Sequence, residues 1–157
     1  MNLFAFNVLL AIGFMIVLDS FTLQSLLAGF ALGFGALWLT RPHASQTNYF
    51  RRTLTVLNLV AFFTKALVVS NLRVVWDVIT PGQISQPGIV RVPLDAQTDF
   101  EIMLVANLIS LTPGTLSIDL SEDRRFLYVH VMFMQDVAEV RRELKQGLEK
   151  RILEVLR

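Results

Sequence analysis

From Leu3 to Leu39 the chain is apolar at nearly every position, and Asp19 is the only charged residue in the run. As one helix this stretch would extend roughly 55 Å at about 1.5 Å per residue. The hydrocarbon core of a bilayer is about 30 Å thick and takes about 20 apolar residues. One straight helix is too long, and two fit. Asp19 and Ser20 lie at the midpoint, where a tight turn must reach water, so the pattern predicts a helical hairpin with arms Leu3–Leu18 and Phe21–Leu39. Both arms are near the short limit for spanning, and Asp19 reads as a solvated residue of the outer turn. Gly29 and Gly33 stand four apart on the second arm, with Ala31 and Gly35 as another small pair. That spacing lets two backbones approach closely. The seam has two readings, packing against the chain's own first arm or contact with another subunit.

Residues Leu54–Ile79 are also apolar, but they include Asn58, Lys65, Asn71, Arg73 and Asp77. A charge at the bilayer centre costs about 2.5–3.5 kcal/mol on insertion scales. On a helical wheel Asn58 and Lys65 lie together, with Thr55, Arg73 and Asp77 in the adjoining sector. This imperfect polar stripe suits a helix lying along the cytoplasmic interface. A third transmembrane helix is the alternative.

Beyond Pro81 the periodicity changes. Pro81-Gly82 through Pro87-Gly88 is turn punctuation and reads as a linker. Val90, Val92 and Leu94 share one side of a short strand, and Pro93 marks its end or an edge position. Thr98 with Glu101 is a capping-box pattern opening a helix that runs to about Ser110. A turn over Leu111–Thr115 leads into Leu116, Ile118 and Leu120, which alternate with Ser117 and Asp119 as in a half-buried strand. A polar turn follows, then Leu127, Val129, Val131 and Phe133 in the partner strand. Asp136 with Glu139 caps a last helix whose apolar face carries Val137, Val140, Leu144, Leu148, Ile152 and Val155. The order β-α-β-β-α fits a small α+β ferredoxin-like domain lacking its last strand. Three parts result: a transmembrane hairpin at 1–40, a basic loop and amphipathic or third membrane helix at 41–80, and an α+β domain at 81–157.

Charge sharpens the division. Residues 1–80 carry five Lys or Arg against two acids, and residues 81–157 carry nine against eleven. Arg41, Arg51 and Arg52 follow the second arm, which by the positive-inside rule makes that loop, the N-terminus and the C-terminal domain cytoplasmic. A cleaved signal peptide would need a basic start, and Met1-Asn2 supplies none. No basic stripe with interleaved aromatics is present, so nucleic acid is not an expected partner. The chain has no cysteine, which excludes disulfides and thiolate sites.

Candidate chemistry is sparse. Intramembrane ionisable residues mark ion pathways, and the hairpin has none apart from Asp19. Lys65 is the next candidate, either a snorkelling interfacial cation or a coupling residue. His43 and His130 have no second ligand at metal-binding spacing. Asp95, Asp99 and Glu101 cluster at a helix start, where acids favour the dipole. Ser110, Thr112, Ser117 and Ser121 have no nearby base, and no nucleophile–base pair suggests an enzyme. Glu122, Asp123, Arg124 and Arg125 read as a solvated turn. No cofactor-binding motif is present. Thr112, Pro113, Gly114 and Thr115 form a turn whose threonines can hydrogen-bond its backbone. It reads either as a simple connector or as a rigid corner presented to the membrane or to another subunit.

The hairpin, Pro87–Asp95 (PGIVRVPLD), Ala106–Ser117 (ANLISLTPGTLS), Ser121–Asp123 (SED) and Glu149–Glu154 (EKRILE) occur in this order. In this the chain resembles the E subunit of the Mrp-type (multiple resistance and pH) multisubunit Na+/H+ antiporter over nearly its whole length. The resemblance implies an accessory subunit in the bacterial cytoplasmic membrane, with the other Mrp subunits and the lipid bilayer as partners. It also implies ion translocation by large partner subunits, in support of sodium tolerance and pH homeostasis. The alternative is a free-standing membrane-anchored regulatory domain that binds a small ligand or metal, which predicts a convergent polar pocket.

Overall fold

The computed structural model of the chain describes residues 3–40, 47–82, 85–134 and 136–157. Arg41 and His43, and the middle of the linker at Gln83 and Ile84, lie outside the described residues. Contacts divide the chain into two compact units, Met1–Leu54 and Thr55–Arg157. The division falls inside one long helix, which contributes to both.

In the first unit α1 (Leu3–Val17) and α2 (Leu23–Leu39) pack against each other. Each is shorter than the arm expected from hydropathy, because the turn consumes Leu18–Thr22. Asp19 adopts φ +47°, a left-handed conformation that Asp tolerates better than most residues. Thr22 then caps α2 by accepting from the Ser25 amide at 3.2 Å. The outer surfaces are apolar: Leu9, Ile16, Leu27 and Leu32 are all at least 60% exposed. At its other end the unit includes the start of α3 (Thr47–Ile79), where Tyr49 and Phe50 stack on Phe34 at 5.8 and 5.1 Å between ring centroids.

In the second unit β1 (Gly88–Pro93), β2 (Thr115–Leu120) and β3 (Phe126–Val131) form a three-stranded sheet of order β1-β3-β2, antiparallel throughout. β1 is an edge strand ending at Pro93, where the missing amide costs no ladder bond. Val90, Val92, Leu127, Val129 and Val131 face inward and are fully buried. They meet Val105 and Ile109 of α4 (Asp99–Leu111) and Leu148 and Ile152 of the C-terminal helix. Leu59, Phe62 and Phe63 of α3 pack against the same cluster.

Two elements depart from the periodicity. β2 does not bury its apolar residues: Leu116 and Ile118 are 53% and 51% exposed. The register shifts between Ser117 and Asp119, a bulge that leaves Ser117 facing α4 and returns only Leu120 toward the core. The last helix is also not a uniform α-helix. α5 (Val137–Arg142) passes into a π-helical stretch, Glu143–Glu149, and then α6 (Lys150–Leu156). Both Leu148 and Glu149 are buried in this stretch.

The buried acids meet backbone amides, although Glu149 Oε2 has no hydrogen-bond partner. Glu149 accepts from the Asp95 and Ala96 amides at 2.6 and 2.9 Å, and Lys145 lies 3.7 Å from its other oxygen. Glu101 completes the capping box at the start of α4 and receives Arg157 at 3.0 Å. The Arg157 guanidinium, then the Gln97 and Thr98 amides, bring the Glu101 pKa down to about 2. A depressed carboxylate pKa adds stability that is complete above the ordinary value of 4.5 and is lost as pH falls toward about 2. Thermal unfolding between pH 5 and pH 2 will therefore show a Glu101→Gln variant with a flatter acid limb than the parent chain, and with a lower Tm at pH 7.

Candidate functional site

The seam between α1 and α2 is built from small residues. A methyl placed on Gly29 would lie 3.0 Å from the Ala11 backbone and from Phe14 Cβ. One on Gly33 would overlap Asn7 Oδ1. Gly29, Gly33 and Ala11 are buried, so the close approach is between the chain's own two helices. Gly35 has open space where its side chain would be. Asn7 is fully buried at the seam, and its Nδ2 donates to the Tyr49 hydroxyl at 2.9 Å, while its Oδ1 has no hydrogen-bond partner. This polar bond ties α1 to the beginning of α3.

The Thr112–Thr115 turn is locked from within. The Thr115 amide donates to Thr112 O at 3.1 Å, with Pro113 in the second position and Gly114 at φ +85° in the third, as a type II turn requires. The Thr112 hydroxyl donates to Leu108 O at 3.1 Å, and the Thr115 hydroxyl reaches Ile109 O at 2.6 Å and Thr112 O at 2.9 Å. The free carbonyls at the end of α4 are thereby used. Ser117 continues the lock, its amide on Ser110 Oγ at 3.0 Å and its hydroxyl on Ala106 O at 3.0 Å. The corner borders a cavity of about 130 Å³ whose other walls include Phe62, Ala66 and Ser70 of α3 and Leu144.

Lys65 does not join this corner. It is exposed on α3 and does not border the cavity. Asp19 is exposed in the α1–α2 turn. His130 lies half-buried on β3, with Ile89 and Leu116 opposite it on the neighbouring strands. Asp99 pairs with Arg124, and Asp123 accepts from the Ser121 hydroxyl, which lowers its pKa. Asp99, Glu101 and Asp123 are thus engaged in structural contacts. Among the described residues no three His, Cys, Asp or Glu side chains are grouped so as to hold a metal ion.

A family model described as a Na+/H+ ion antiporter subunit matches residues 7–155. The chain is 36% identical over 149 residues to the Na(+)/H(+) antiporter E subunit of Alkalihalophilus pseudofirmus OF4, covering 95% of this chain and 94% of that one. It belongs to the family of Na+/H+ antiporter E subunits. The corresponding E subunit of Bacillus subtilis strain 168 is 32% identical over 151 residues, with 96% of each chain covered. A chain of the Mrp complex from Dietzia sp. DQ12-45-1b superposes with a TM-score of 0.51 at 26% identity, covering 65% of this chain and 96% of that one. A chain of the membrane-bound sulfane sulfur reductase, an archaeal respiratory membrane complex, has a TM-score of 0.55 at 23% identity and covers 97% and 98%, a likeness of fold alone. The relatives are antiporter subunits, transporters rather than classical enzymes.

In this antiporter chain the residues that sequence reasoning passed over are Asn7 and Glu149. Asn7 is a lone amide in an apolar run, and its position four residues before Ala11 was the available signal. Glu149 lies in a helix of alternating charges, where nothing local separates a buried carboxylate from its solvated neighbours. Overpacking a close helix contact costs about 1–3 kcal/mol. In thermal unfolding in detergent, Gly33→Ala is expected to destabilise the chain by that order. Asn7→Ala in the same chain should relieve much of the loss, giving a clear non-additive term. Gly35→Ala should stay within about 0.5 kcal/mol of the parent.

Proposed function

We propose that this chain is an accessory subunit of a hetero-oligomeric Na+/H+ antiporter of the bacterial cytoplasmic membrane, supporting assembly and activity rather than translocating ions alone. The family match over residues 7–155 carries this reading. It agrees with the absence of any charged residue from α1 and α2. A route for ions through lipid needs ionisable or polar groups facing one another in the membrane. Among the described residues of the first unit, the buried polar contact between α1 and α3 is the Asn7–Tyr49 pair, and neither side chain carries a charge.

The membrane arrangement we infer rests on the charge distribution along the chain and on the packing of α3. α1 and α2 form a hairpin in the bilayer, its turn at Asp19 outside and its ends cytoplasmic. α3 lies in the plane of the cytoplasmic interface, and the α/β part that follows it is a cytoplasmic domain. α3 runs to 33 residues, and Tyr49–Ile79 is long and apolar enough to cross a membrane. Two features support the in-plane reading over a third span. Leu59, Phe62 and Phe63 pack on the α/β core, which a lipid-surrounded span could not do at mid-length. Leu57, Val60, Val68, Leu72 and Val75 are exposed and apolar, a surface that lipid can cover. Lys65 lies beside that surface and snorkels. The sheet order β1-β3-β2, with β3 antiparallel between its neighbours, supports a ferredoxin-like unit without its last strand. The Thr112–Thr115 corner is a rigid element presented to the membrane or to a neighbouring subunit.

Purification of the tagged chain from its host in mild detergent, with mass spectrometry of what accompanies it, tests the function. Several larger polytopic membrane proteins are expected. Recovery of the chain alone would point instead to a free-standing anchored domain. The absence of cysteine makes topology equally testable. Asp19→Cys should react with an impermeant maleimide in intact cells, and Glu122→Cys only after permeabilisation. Labelling of Glu122→Cys from outside would overturn the in-plane assignment.

A further inference from the structure

Beside α3 the second unit has a groove of about 670 Å³ lined by Arg73 of α3 and Arg151 of α6, with Trp76 also in its wall. Neither arginine is neutralised by a carboxylate among the described residues. Arg73 Cζ lies 5.9 Å from the centre of the Phe133 ring, and Arg151 Cζ 4.1 Å from that of Phe62. A guanidinium stacked on a ring keeps its N–H groups in its own plane and can donate sideways. Arg151 Nη1 donates to Gly147 O at 2.7 Å and to Gln146 O at 3.3 Å, while its Nε is buried without a hydrogen-bond partner.

Three carboxylates share the groove. Asp136 accepts from the Ala138 amide at 2.9 Å as the cap of α5, and Glu139 lies 3.9 Å from Arg142. Arg142 offsets Glu139, while Asp136 and Glu143 remain in the groove without ion-pair contact to Arg73 or Arg151, so the two guanidiniums offer their N–H groups to a ligand with several acceptor oxygens. The position of α3 narrows the choice. At about 100° per residue, Asn58, Lys65 and Trp76 fall within about 20° of one another on a single flank, and Phe62 and Arg73 adjoin it. With the apolar face of α3 turned into the bilayer, this flank and the groove lie at headgroup depth, where Trp and Arg are favoured.

We propose that the groove between α3 and the C-terminal helix binds the phosphate-bearing headgroup of an anionic bilayer lipid, held by Arg73 and Arg151 beside Trp76. The inference rests on the in-plane reading of α3. A full-length Trp38→Phe chain, which retains Trp76 as its sole tryptophan, is reconstituted in vesicles containing brominated-acyl phosphatidylglycerol or brominated-acyl phosphatidylcholine. Both lipids should quench Trp76, with phosphatidylglycerol effective at several-fold lower mole fraction, about fivefold for each guanidinium engaged. In Arg73→Gln/Arg151→Gln the two curves should coincide. The Arg73→Lys/Arg151→Lys variant should keep a preference for phosphatidylglycerol and so separate lost charge from lost fold. Equal quenching by both lipids in the parent chain would overturn the headgroup site and leave the in-plane helix standing. No quenching by either would overturn the in-plane helix and this inference with it. If millimolar inorganic phosphate abolished the preference, the groove would be a free-phosphate site and the lipid assignment would fail.

Discussion

The contact on which most of the second unit depends is the stripe of Leu59, Phe62 and Phe63 on α3 against the sheet and the C-terminal helix. Three short strands and two helices enclose little apolar volume, and a core of that size is marginal by itself. α3 supplies further apolar surface to it. The same contact orients everything around it. It turns the opposite, apolar face of α3 outward, closes one wall of the cavity behind the Thr112–Thr115 corner, and sets Phe62 under the Arg151 guanidinium. Gly147 belongs to this arrangement, because a methyl there would lie 3.2 Å from the Phe62 ring.

The first unit is held by a different principle. Its outer surface is as apolar as its interior, so burial of hydrocarbon cannot distinguish packed from separated helices in lipid. What does distinguish them is close backbone approach at Gly29 and Gly33, and one polar contact, Asn7 to Tyr49, with no water to compete for it. These contacts fix the geometry of the helix pair without any charged group.

Much of this was legible along the chain. The helix break at Asp19, the capping box of Thr98 and Glu101, and the alternation of Leu127, Val129 and Val131 are local signals, and the structure has a turn, a capped helix and a strand at these residues. Pro93 at the end of an edge strand is equally local. One element was misread: Leu116 and Ile118 of β2 face outward, because which face of an alternating strand is covered depends on what packs on it. The last helix keeps its expected face, with Val140, Leu144, Leu148 and Ile152 at the core, across a π-helical stretch that the fixed period did not foresee.

By itself the sequence determined the order of elements, apolar helices followed by a small α+β region, and its motifs placed it with the antiporter subunits. Hydrophobic period and turn chemistry are properties of neighbouring residues, and so they can be read along the chain alone. Only the tertiary structure decided which face each residue shows. Gly29 and Gly33 meet α1, Leu116 and Ile118 turn outward, Glu149 is buried on backbone amides, and Arg73 and Arg151 come to one groove from positions 78 residues apart in the numbering. Such juxtapositions depend on how elements distant in the chain pack, and no local pattern encodes them.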